Sequence, residues 1–424
     1  MSSENNEQVI RDPLWNTIQL DHHAVRIVNT AAFQRQRYIR QLGFAHLVYP
    51  GATHTRFGHA IGVYHLARVT LEHLRKSGQL ENDVYEEARL IPYAALLHDI
   101  GHYAFSHALE ELGDDFLPGD HEAVSARFFC SDQMRNVLRS LGDNAARGIH
   151  DLIRGESANP LRGLVSGSLD LDKIEYLRRD ARFCGVPYGE VDVDRLLQGM
   201  LVLEDPTSGK LEIGIHEKAV AALESLLFAK YQMFRNVYWH HGVRAASALY
   251  KRIVYEAVHA GILTREELVG PTDEELIYEI SRRAETSESD IGRKLSDRWI
   301  PSLKAREIPK RIMEVTAAEL DGSVVQEWVL KDSHEKRAFE DRLAEELELE
   351  SGEIVVDFQV KESMFQLDLL IKRTTGGVER LDLSGVSGLI DLPQMAGSLY
   401  AATRVLRIFA FKKRTLNKER VLEE

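Results

Sequence analysis

From about residue 21 to residue 260, apolar positions mostly recur three and four residues apart, as in Ile61, Tyr64, His65, Ala67, Arg68, Leu71 and Leu74, whose polar members mark the exposed edge. That period fits helices that bury one face, so this stretch is expected to be mainly helical. It breaks once. Leu201-Val202-Leu203, then Asp205-Pro206-Thr207-Ser208-Gly209, then Leu211-Glu212-Ile213 predicts a short hairpin with a turn, after which 217–257 returns to helix. Beyond Gly261 the composition shifts: helices are expected near 272–283, 287–294 and 333–348, separated by breaks such as Ile300-Pro301 and Ile308-Pro309. Segments 353–361, 366–373 and 403–412 alternate or cluster apolar and β-branched residues around Gly376-Gly377 and Gly385. The expected fold class is mainly α, with a helical core over 1–260 and a smaller mixed α/β C-terminal subdomain over 261–424.

Composition narrows the function. With 424 residues, 44% of them hydrophobic, the chain can bury a large core. Its formal net charge of -13 opposes a general affinity for nucleic acid or anionic membrane, while leaving room for a small anion held by a local cationic cluster. Cys130 and Cys184 are too few for a disulfide framework or a thiolate zinc site. Neither a signal peptide nor a spanning apolar run is recognisable, so a cytoplasmic protein with reduced cysteines is expected.

The residues that carry chemistry fall in three stretches. Leu96-Leu97-His98-Asp99-Ile100-Gly101-His102 sets an imidazole and a carboxylate side by side at the end of an apolar helical run, where both can reach one ion. His54-Thr55-Arg56-Phe57-Gly58-His59 opens a helix with Arg56 and His59 on one face. Leu169-Asp170-Leu171-Asp172-Lys173 supplies two carboxylates followed by a cation; two residues apart on a helix they point to different faces, and either could turn inward. Two imidazoles and two carboxylates on separate segments can hold a divalent metal with positions open for water and a phosphate oxygen. Mixed nitrogen and oxygen ligands suit manganese, iron, zinc, nickel or cobalt, and magnesium less well.

Longer stretches carry a family resemblance. They are Ala32-Phe33-Gln34-Arg35-Gln36-Arg37-Tyr38-Ile39-Arg40-Gln41-Leu42-Gly43, Tyr49-Pro50-Gly51-Ala52-Thr53-His54-Thr55-Arg56-Phe57, His98-Asp99-Ile100-Gly101-His102 through Phe105-Ser106-His107, His121-Glu122, and Leu171-Asp172-Lys173-Ile174-Glu175-Tyr176-Leu177-Arg178-Arg179-Asp180. Through them the chain resembles the HD-domain deoxynucleoside triphosphate (dNTP) triphosphohydrolases over about residues 9–244. Some members carry a sterile-alpha-motif domain; with about eight residues ahead of the match, none is expected here.

The resemblance implies a metal held by His59, His98, Asp99 and Asp172, and hydrolysis of a dNTP to deoxynucleoside and inorganic triphosphate. It makes His107 the candidate general acid at the leaving 5′ oxygen, with His102, His121 and Glu122 around the phosphates and the attacking water; imidazole suits such work because it titrates near neutrality. A helix continuing through Phe105-Ser106, with a bend after Gly101, would bring His107 near the substrate. Arg56 and Lys173 are expected against phosphate charge. Gln41, Leu42, Tyr176, Asp180 and Tyr238 are expected around the deoxyribose, with Leu42 crowding a 2′ hydroxyl. Over 231–241 Tyr238 is kept but several basic family positions are replaced, which leaves Lys230 and Arg235 as the phosphate contacts. A homo-oligomer, dimer or tetramer, is implied through residues 9–43. In some members a nucleotide activator binds between subunits, with an acidic group reading guanine at the position of Asn29 and with Gln34 and Arg37 matching other members of that site. An amide cannot offer the paired acceptor oxygens of a carboxylate, so activation by GTP is not expected. The same metal motifs would also serve a phosphodiesterase, nucleotidase or nuclease, told apart by its product, or a nucleotide-binding regulator with a vestigial metal site.

Overall fold

The computed structural model describes residues 7–80, 88–113, 115–316, 319, 334–359, 367–381, 391–401 and 403–416. Helix Arg56–Lys76 starts where the sequence predicts and buries Phe57, Ala60, Ile61, Tyr64, Ala67 and Leu74 along one side. It packs against helices Ile91–Leu97 and Leu171–Cys184. The latter is delimited by its own residues: the Asp170 carboxylate accepts from the Lys173 amide at 2.9 Å, and Gly185 closes the helix in the left-handed region at φ 68°. These three helices share the larger apolar cluster with Val220–Met233. A second cluster surrounds helix His241–His259 and includes Leu276, Ile277 and Ile280 of helix Asp273–Glu285.

The predicted hairpin is present, Met200–Glu204 antiparallel to Leu211–His216 with Val202 opposite Ile213. Two strands from late in the chain complete its sheet: Leu369–Lys372 runs parallel to Leu211–His216, and Val378–Leu381 lies outside it. The other late strands form an antiparallel sheet in the order Lys310–Thr316, Val405–Ala410, Ile354–Asp357. Helices Asp273–Glu285, Asp290–Lys294 and His334–Glu346 stand at the predicted places. Ser333, Lys361, Gln366 and Gly385, named in the sequence-based expectations, lie outside the described residues. The fold is therefore mainly α with a smaller sheet-bearing part, as expected. An N-terminal hairpin, Gln8–Asp12 against Asn16–Leu20, was not anticipated; it presses Ile18 and Leu20 into the large core.

The second core contains a buried ionic junction. Arg244 on helix His241–His259 donates to Asp357 (Nε to Oδ2, 2.8 Å) and, with two nitrogens, to Glu111 at 2.7 Å each. Lys251, two turns on, donates to Glu111 at 2.9 Å. Strand Ile354–Asp357 is thereby tied to the segment just after Glu110.

Candidate metal centre

Three helix termini converge. His59 sits in the first turn of Arg56–Lys76, His98 caps the end of Ile91–Leu97 with Asp99 following, and Asp172 lies in the first turn of Leu171–Cys184. His59 Nε2 is 3.2 Å from His98 Nε2, 3.0 Å from Asp172 Oδ1 and 3.5 Å from Asp99 Oδ2. His98 Nε2 is 3.2 Å from Asp99 Oδ1 and 3.5 Å from Asp172 Oδ1. Asp170, the alternative carboxylate, turns away to cap its helix and pair with Lys173.

The tautomers decide what this cluster can hold. His98 Nδ1 lies 2.8 Å from the Ala95 carbonyl, which can only accept, so Nδ1 carries the proton. His59 Nδ1 lies 2.7 Å from Glu175 Oε2; burial pushes the Glu175 carboxyl up, but Arg179 and the His59 hydrogen bond outweigh it and hold it at about 2, so Nδ1 donates there too. Both neutral rings then turn Nε2 lone pairs toward two carboxylates. Four acceptors at 3.0 to 3.5 Å repel one another unless protons or a shared metal cation lie between them. Protein groups alone answer with protons: burial opposes charge on His59, yet Asp172 and Glu175 hold its imidazolium up to about 10. The donor set, imidazole nitrogen and carboxylate oxygen with fixed tautomers, fits a divalent transition metal.

Beside it stands a second group. Helix Ile91–Leu97 does not continue through Phe105-Ser106, contrary to expectation: the chain leaves the helix at His98, and Phe105 and Ser106 take positive φ values of 55° and 50° before short helix His107–Glu110. Such backbone costs about 1–3 kcal/mol per residue and persists where neighbours hold it. Here Asp273 accepts from the Phe105 amide at 2.7 Å, and Ser106 Oγ accepts from Arg56 Nε at 2.7 Å. Gly101 lets helix His121–Phe129 come close, since a Cβ there would stand 2.0 Å from the His121 carbonyl oxygen.

Glu110, which the sequence did not single out, then gathers three histidines: His102 Nδ1 at 2.8 Å, His107 Nδ1 at 2.9 Å and His121 Nδ1 at 3.0 Å. His102 and His121 stack at 3.9 Å, and His102 Nε2 reaches Asp99 Oδ1 at 3.1 Å. Burial and Arg56 lower His102 to about 4, whereas Glu110 overcomes burial to raise His121 to about 9. The His107 side chain stays 69% exposed. Burial pushes the Glu122 carboxyl up. Arg56, itself buried, binds Asp99 and keeps one buried guanidinium nitrogen without a hydrogen-bond partner among the described residues.

The residues expected around a sugar also meet. Tyr238 donates to Asp180 at 2.7 Å, Asp180 pairs with His54 at 2.8 Å, and Tyr176 sets its ring 6.4 Å from that of Tyr238. The Gln41 backbone amide donates to the His54 carbonyl at 3.0 Å, while its buried side-chain oxygen has no hydrogen-bond partner among the described residues. Leu42 packs half-buried against the small cluster of Ala45, Ala52 and Val243. Lys173 is turned to Asp170 and the Gly167 carbonyl, Lys230 is buried close to Phe234, and Arg235 is exposed and donates to Tyr231. Glu110, Glu175 and His54 are site neighbours that sequence reasoning did not single out; the spacings His107 to Glu110 and Asp172 to Glu175, three residues each, were the available signal.

Among known proteins, a profile described as the HD domain matches residues 56–172, and one described as the HD associated region matches 191–398. An uncharacterised protein of Methanocaldococcus jannaschii is 30% identical over 379 residues, which cover 88% of this chain and 74% of that one. The deoxynucleoside triphosphate triphosphohydrolase SAMHD1 of Homo sapiens is 30% identical over 266 residues, 55% of this chain and 42% of the human one, so the match spans less than half of that relative. A crystal structure of a hypothetical protein from Aquifex aeolicus shares the fold, with a TM-score of 0.71 at 24% identity over 95% of this chain and 96% of that one.

Proposed function

The chain belongs to the HD-domain phosphohydrolase family, and from that premise we propose that it hydrolyses dNTPs to deoxynucleoside and inorganic triphosphate at the centre formed by His59, His98, Asp99 and Asp172. One observation carries the reading: through Asp99 this acceptor set touches both Arg56 and His102 of the Glu110 group. A divalent ion in such a set polarises a phosphoryl oxygen and makes a nearby water more acidic. The protein side chains do the rest. Arg56, with a guanidinium nitrogen to spare, offsets phosphate charge, and His121, kept cationic by Glu110, adds to it. Water attacks the α-phosphorus and loses a proton to solvent, the bond to the 5′ oxygen breaks, and His107, later reprotonated from solvent, delivers a proton to that oxygen from Nε2 while Nδ1 remains bonded to Glu110. Glu122, whose carboxyl burial favours in its protonated form, and His102 sit against the phosphates and water.

The choice of a deoxynucleotide is supported by the Tyr238, Asp180 and Gln41 group, which offers a hydroxyl, a carboxylate and an amide oxygen that has no partner among the described residues to a 3′ hydroxyl. Leu42 gives a 2′ hydroxyl no partner, at a cost of about 1–3 kcal/mol to a ribonucleotide. The human relative named as a dNTP triphosphohydrolase supports the substrate class. The test pairs two readouts. His98→Ala and Asp99→Ala should each lose bound metal, by mass spectrometry, together with hydrolysis of dATP. Full metal and full rate in either variant would remove the proposal.

A further inference from the structure

Behind His59 lies a chain of contacts that the reaction itself does not use. Glu175 is fully buried, and its two oxygens are divided. Oε2 accepts from His59 Nδ1 at 2.7 Å, while Oε1 accepts from Arg179 Nε at 2.7 Å and from the Trp15 indole at 2.9 Å. Arg179 in turn pairs with Asp12 at 3.0 Å. Asp12 and Trp15 belong to the N-terminal hairpin, and Asp12 also fixes its turn by accepting the Leu14 and Trp15 amides at 2.8 and 2.9 Å. The Trp15 ring is held by Arg178, 5.0 Å from its centre. Space for the carboxylate is provided by Gly62, three residues after His59, where a Cβ would come within 2.0 Å of Glu175 Oε1 and 2.9 Å of an Arg179 nitrogen.

Each part has a physical consequence for the imidazole. A carboxylate on Nδ1 fixes the proton there, leaves the lone pair on Nε2 and makes the ring a better electron donor. A carboxylate free to rotate would do this poorly. Glu175 is held on its far side by an indole and a guanidinium, so its orientation depends on residues about 160 positions earlier in the chain.

We propose that Glu175 is the positioning residue for His59, and that Trp15 and Asp12 of the N-terminal hairpin set the metal affinity of the centre through it. The inference rests on the reading of His59 as a metal ligand. It is tested by titrating Mn2+ alone into the full chain, followed by electron paramagnetic resonance of free ion, for the wild type, Glu175→Gln, Trp15→Phe and His59→Ala, with circular dichroism of each. Glu175→Gln should bind about 10- to 100-fold more weakly with an unchanged spectrum. Trp15→Phe, which keeps an aromatic side chain and removes the indole N–H, should weaken binding severalfold in the same direction. If Glu175→Gln fails to fold, Trp15→Phe decides. Wild-type affinity in Trp15→Phe, with affinity lost in His59→Ala, would overturn the inference and leave the metal centre standing. Equal affinity in the wild type and His59→Ala would overturn the ligand assignment, and the inference with it.

Discussion

In the proposed reaction His107 and His121 divide two jobs between them, proton delivery and charge, and Glu110 lies against both rings. The Glu110 carboxylate takes the Nδ1 side of His107, and the exposed ring leaves Nε2 toward the open side. If His107 is the acid, His107→Ala keeps metal and dNTP binding but loses about 100- to 10,000-fold in turnover. With a substrate whose leaving group is an activated phenol, which departs unprotonated, the loss should be far smaller. Steady-state rates on the two substrates check this, and an equal loss on both would assign His107 to the phosphates or the fold. The residue scale is also where the sequence was least decisive. Asp170 and Asp172 are equivalent by type and spacing; only the cap, with Asp170 bonded to the Lys173 amide, separates them in space. Glu110 escaped notice because its partners His102 and His121 come from outside its helix.

Elements meet here through charge as well as apolar packing. The junction of Arg244 and Lys251 with Glu111 and Asp357 is buried, and removing one member leaves the others short of a partner. Asp357→Asn should destabilise the protein by about 3–5 kcal/mol, measured by denaturant unfolding at neutral pH; a change below about 1 kcal/mol would show that the junction is dispensable. Burial raises the Glu111 carboxyl, but Arg244 and Lys251 outweigh it and hold it at about 2 against an ordinary 4.5. Its contribution is therefore complete above the ordinary value and lost as pH falls from there toward 2, and Glu111→Gln should flatten that part of the stability profile. The same scale explains what was legible. The long helices announce themselves through period and caps, as Arg56–Lys76 does. Strand Lys310–Thr316 did not, because Pro309 reads as a break and charged Lys310, Arg311 and Glu314 interrupt its alternation. That Leu369–Lys372 pairs with a hairpin about 155 residues earlier has no local signal at all.

At the scale of the whole molecule, the N-terminal region serves the interior through Trp15 and presents Val9 and Tyr38 outward at 62% and 66% exposure. Exposed apolar side chains in the region proposed to lie between subunits support a homo-oligomer. Light scattering at micromolar concentration should give a multiple of 48.1 kDa, and the single-chain mass would contradict it. Among the described residues no helix is long and apolar enough to cross a membrane. The family and the mainly helical fold were legible because motif order and helical period are local properties of the chain; the supports of the centre, drawn from segments as far apart as Asp12 and Asp273, were not. The reaction is read most directly by chromatography of the products after the full chain, a divalent metal and each dNTP are incubated together. Hydrolysis as proposed yields deoxynucleoside and intact inorganic triphosphate in equal amounts; pyrophosphate with a nucleoside monophosphate, or inorganic phosphate with a diphosphate, would rule it out.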